Sequence, residues 1–140
     1  MLITTGIGCV VLGGVIAAVT GPFDLAHGSW LAAYLVLVGG VAQCAMGLAR
    51  VWNPSPQPTW WAWTQLGSWN LGNVAVIVGT LTALPLVVDL GSVGLVVALV
   101  IALHAPRVGS GAALWTYRAL LLLLALSIPV GVVLAHLRNS

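Results

Sequence analysis

The chain has 140 residues, 61% of them hydrophobic, with no Lys, four Arg, two acidic side chains and a net charge of +2. So little charge leaves no basic patch for nucleic acid and too little polar surface for a water-soluble globule. It also leaves no carboxylate pair, Ser/His/Asp set, phosphate loop or zinc motif with which a hydrolase or NTPase would work. Each crossing of a hydrocarbon core about 30 Å thick takes roughly 20 apolar residues. The expected architecture is therefore all-α: an integral membrane helical bundle of about five transmembrane helices, with residues 1–140 as a single transmembrane domain.

The first crossing is expected from Leu2 to Thr20, ended by Gly21-Pro22, a pair that does not readily continue a helix. No Arg precedes its apolar run and no small-x-small cleavage site lies near Thr20, so it reads as a retained helix and not a signal peptide. The second runs from about Ala26 to Val51 and is followed by Asn53-Pro54-Ser55-Pro56-Gln57-Pro58, a stiff connection that favours extended backbone. The third begins with Thr59 as N-cap and continues to about Ala83, with Pro85 helping to end it. A fourth, Gly91 to His104, is short for a crossing unless Val87 to Leu90 extend it. The fifth, Ala113 to Leu137, contains Pro129, a kink candidate.

Five alternating crossings put Arg50, Arg107 and Arg118 on one side and Asp24 and Asp89, read as boundary loop residues, on the other. The positive-inside rule then makes the N-terminus cytoplasmic, in a multi-pass protein of the cell inner membrane. Trp52, Trp60, Trp61, Trp63, Trp115 and Tyr117 gather at the inner boundary and Phe23 and Trp30 at the outer one, as an interfacial aromatic belt would. Only Trp69 is expected to sit deep. Glycines inside the first three helices let backbones approach closely where lipid gives no hydrophobic drive for association. A short chain with many such faces is expected to form a homo-oligomer or to serve as a subunit of a membrane complex.

Polar side chains in hydrocarbon need partners, which singles out His27, Gln43, Gln65, Asn70, Asn73, His104 and His136. At about 100° per residue Gln43 shares a packing face with Gly39 and Gly47, while Asn70, Asn73 and Thr80 share one face of the third helix and Gln65, Ser68, Gly72 and Gly79 another. Interhelical hydrogen bonds explain these residues, and so does a polar path for a neutral solute through Gln43, Asn70 and Asn73. His27 and His136 reach the same outer boundary, and His104 the inner one. Two imidazoles at one depth suit an axially coordinated haem iron, a b-type haem, although a His at a helix end is also an ordinary interfacial residue. His27 stands about 160° around the helix from Gln43 and shares its face with Trp30, Tyr34 and Val38. Cys9, Cys44 and Met46 offer soft ligands of the kind that suit Cu(I), and buried Cys also serves as a small hydrophobe. The two Cys lack CxxC spacing, so no disulfide framework is expected.

Ala26-His27-Gly28-Ser29-Trp30-Leu31, with the apolar run through Val38 to Gly39-Gly40, resembles the second helix of haem-copper oxidase subunit I. In that family a His-Gly at the outer end of the helix supplies an axial ligand of the low-spin haem, which implies that role for His27. Trp69-Asn70-Leu71-Gly72-Asn73 is similar to helix segments of the membrane haem proteins of nitric-oxide response. The paired-His copper site of subunit I has no counterpart here, so the resemblance implies haem b for electron transfer or gas-ligand sensing and not oxygen reduction. The second axial ligand would be His136 or come from another subunit.

Overall fold

Glycine and proline punctuation sets the helix ends in the computed structural model, which describes residues 1–52, 58–104 and 112–137, side chains 112–114, 131–132 and 134–137 excepted. Five helices follow in order: α1 Leu2–Thr20, α2 Gly28–Trp52, α3 Thr59–Leu81, α4 Pro85–His104 and α5 Ala112–Leu137. The fold is all-α, and no strand occurs among the described residues. Helices α1, α2 and α4 are long and apolar enough to cross a membrane, and α5 carries the apolar stretch Trp115–Val130. The chain divides into two compact units, Met1–Trp52 and Asn53–Ser140.

Two boundaries differ from the sequence reading. Pro85 opens α4, where it was expected to help end α3. Proline at the first helical position loses only an N–H that has no intrahelical acceptor, and its fixed φ is already helical. Asp89 is consequently a half-buried residue in the second turn of α4 and not a loop residue. Thr59 is the first residue of α3, with Pro58 at the N-cap. Helix α5 runs through Pro129 without a break.

In the first unit α1 and α2 form an antiparallel pair in contact along most of their length. α2 is α-helical over Gly28–Tyr34, π-helical over Leu35–Ala42 and α-helical again over Gln43–Trp52. The sequence reading, with its uniform 100° per residue, had no place for this wide segment. Its cause lies in the stripe facing α1: Gly28 meets Thr20, Val36 meets Gly13, Gly40 meets Gly6 and Val10, and Cys44 meets Gly6. These positions recur every fourth residue. In an α-helix each such step overshoots a full turn by about 40°, and the stripe would wind away from a straight neighbour. In i→i+5 turns the same step falls short, so alternating the two keeps the stripe on α1.

In the second unit α3 and α4 form an antiparallel pair, with α5 packed on α4. The crossing is glycine on glycine: a β-carbon at Gly91 would stand 2.7 Å from the carbonyl oxygen of Gly72, and one at Gly72 would stand 2.8 Å from that of Gly91. Farther along, Gly79 packs on Val88 and Gly94 approaches the carbonyl of Ser68.

Both pairs turn by the same device. Leu25 N–H donates to Thr20 O (3.1 Å) and Leu84 N–H to Gly79 O (2.9 Å), six-residue closures of the kind that end helices through a left-handed residue. That residue is Asp24 (φ 49°) in one and Ala83 (φ 54°) in the other. Alanine there carries a steric penalty of about 1–2 kcal/mol that glycine avoids, less the entropy glycine loses on folding. Ala83→Gly is expected to stabilise the chain by about 0.5–1 kcal/mol and Ala83→Val to destabilise it, read from thermal unfolding in detergent. Equal midpoints for all three would remove the strain argument.

Candidate functional site

His27 is the N-cap residue of α2, and its position is fixed by its neighbour: Gly28 is buried so tightly against Thr20 and Leu25 that no β-carbon fits there. The helix start therefore cannot slide, and the imidazole is exposed, away from the α1 interface. One turn on, Trp30 and Tyr34 stack with ring centroids 5.4 Å apart and planes inclined by 30°. The Tyr34 hydroxyl is buried and has no hydrogen-bond partner among the described residues. Trp30 and Tyr34 thus form an aromatic stack in the N-terminal part of α2, with the exposed His27 at the helix start ahead of it.

His136 lies in the last turns of α5, in the other unit, and its side chain is outside the described residues. His104 ends α4 in an exposed position, and its Nδ1 donates to Val100 O at 2.9 Å in the tautomer that bond requires.

Gln43 is fully buried and donates from Nε2 to Thr5 Oγ1 across the α1–α2 pair at 2.6 Å. Gly39 and Gly47 flank it on the same contact, against Cys9 and Ile3. The sequence reading missed Thr5; the signal was its depth, since Thr5 counted inward from Met1 and Gln43 counted inward from Arg50 fall at similar levels of antiparallel helices. On α3 the amides turn back on their own helix, Asn70 Nδ2 to Leu66 O and Asn73 Nδ2 to Trp69 O, both at 2.8 Å. Asn73 Oδ1 and the indole N–H of Trp69 are buried and have no partner among the described residues. Ser92 on α4, which the sequence reading passed over, is buried and donates to Val88 O. Gln43 belongs to the first unit and Asn70 and Asn73 to the second, so neither unit contains a continuous polar path built from all three. The chain matches no family model, and no curated protein or solved structure aligns with it significantly.

Proposed function

We propose that this is a multi-pass protein of the cell inner membrane that binds a b-type haem through His27, for electron transfer or gas-ligand sensing. The observation that carries the reading is at the start of α2: an exposed His27 whose backbone is pinned by the close packing of Gly28, one turn ahead of the stacked Trp30–Tyr34 pair. An exposed imidazole would be available to hold the haem iron, and the flat aromatic pair would suit contact with a macrocycle. The Tyr34 hydroxyl, buried and without a partner among the described residues, is a polar group that an apolar packing surface does not need. When bound, the haem supplies a one-electron couple or an iron position for a gas ligand. The chain's own part would be to hold the iron through His27, and the sequence offers His136 as a second ligand.

A second reading, a haem-free accessory subunit, draws on a groove of about 460 Å³ on the first unit, lined by small residues including Gly13, Gly14, Ala17, Ala32 and Ala33. Small residues of this kind let another helix approach closely. The visible spectrum of protein expressed with ample haem separates the two. A haem protein shows a sharp Soret band that His27→Ala abolishes and His104→Ala leaves intact. Colourless protein that co-purifies with a larger membrane complex makes the accessory reading the better one, and colour that survives His27→Ala places the haem elsewhere.

A further inference from the structure

The two cysteines of the first unit lie on facing helices, both thiols are free, and both residues are half-buried. Cys44 Sγ covers Gly6, where a β-carbon would stand 2.7 Å from it. Cys9 covers Gly39, whose β-carbon position is 3.3 Å from Cys9 Cβ and 3.4 Å from Cys9 Sγ. Gly6 and Cys9 are three residues apart on α1, which stacks them one turn above the other. Gly39 and Cys44 are five apart and Gly39 lies in the π segment, which again makes about one turn. The two cysteines therefore occupy neighbouring turns of a single crossing. Neither is committed to a strong hydrogen bond: Cys44 Sγ–H reaches Ile3 O only at 3.7 Å.

We propose that Cys9 and Cys44, packed over Gly39 and Gly6 of the facing helices, hold one Cu(I) ion between their sulfurs. Coordination would require Cys44 Sγ to leave its weak contact with Ile3 O. Two sulfurs satisfy a soft d¹⁰ cation, whereas Zn²⁺ asks for four ligands. No group of three or more His, Cys, Asp or Glu capable of holding a metal occurs among the described residues. Met46 does not join the pair, since two residues beyond Cys44 in an α-helical segment it points to the other side of α2, where it is buried. As Cu(I) binds, one thiol loses its proton to water at the membrane boundary and the other sulfur coordinates as a thiol. The thiolate–Cu(I)–thiol unit is neutral, the form a hydrocarbon environment favours. The site is independent of haem at His27.

The test is transfer of Cu(I) from its bicinchoninate complex to reduced, detergent-purified full-length protein under anaerobic conditions. One copper per chain is expected, with two sulfur neighbours in X-ray absorption, and Cys9→Ser and Cys44→Ser should each abolish transfer while helical circular dichroism stays unchanged. No transfer from the chelator, or one copper per chain in either serine variant, overturns the proposal. Should a serine variant fail to fold, maleimide labelling of the unaltered protein decides. One equivalent of Ag(I) protecting both thiols together supports the pair, and protection of one thiol or neither overturns it.

Discussion

Gly91→Ala should destabilise the chain by about 2–3 kcal/mol, although alanine is the better helix former by about 1 kcal/mol. The sign follows from what the new methyl would meet: the carbonyl oxygen of Gly72 at 2.7 Å and the backbone nitrogen of Val76 at 2.8 Å. A flexible side chain would swing aside. Backbone of a neighbouring helix moves only if the two axes separate, and separation loses contacts along the whole α3–α4 pair. Gly67→Ala is the control within the same unit, because no atom lies within 4 Å of its added methyl, and propensity alone should leave it neutral or slightly stabilising. Gly72→Ala should cost about as much as Gly91→Ala. The double variant should cost less than the sum, since the axes opened by one methyl already admit the other. Thermal unfolding in detergent of the four proteins checks all of this. A Gly91→Ala midpoint no lower than that of Gly67→Ala would show that the α3–α4 crossing is not close.

Much of this architecture was legible in the sequence because hydrocarbon imposes simple rules. Apolar runs of crossing length mark α1 and α2, and Gly21-Pro22 and the proline-spaced stretch after Asn53 bound them. Pro85 misled because proline both follows helices and opens them. The residue alone does not say which, and the answer lay in Ala83, whose left-handed backbone closes α3 before Pro85 begins α4. The π segment was not legible, since Leu35–Ala42 reads as an ordinary apolar helix and only the need to keep a four-residue stripe against α1 widens its turns. At the candidate site, the Trp30–Tyr34 stack was visible from its four-residue spacing, because it lies ahead of the π segment. What spacing could not show is which polar groups find partners. Gln43 does so on another helix, whereas Asn70 and Asn73 bond to their own backbone one turn back.

That difference sets the second large expected effect. Gln43 is fully buried and its amide N–H is satisfied by the Thr5 hydroxyl, which in turn donates to a backbone carbonyl of the first turn of α1. Thr5→Val keeps the shape of the side chain and removes the acceptor, so the Gln43 amide is left buried without a partner at a cost of about 1–3 kcal/mol. Gln43→Leu alone removes the demanding group and should cost less, because the Thr5 hydroxyl retains its backbone acceptors. With both groups apolar nothing is left unsatisfied, so the double variant should be more stable than Thr5→Val. The resulting coupling is expected at about 0.6–1.7 kcal/mol, the span for hydrogen bonds between helices in membranes. Asn70→Leu is the contrast: its amide bonds only to Leu66 O on its own helix, so it should show no coupling to Thr5. Additive losses for Thr5→Val and Gln43→Leu would mean that the 2.6 Å contact contributes nothing, and that the glycine crossings alone hold α1 against α2.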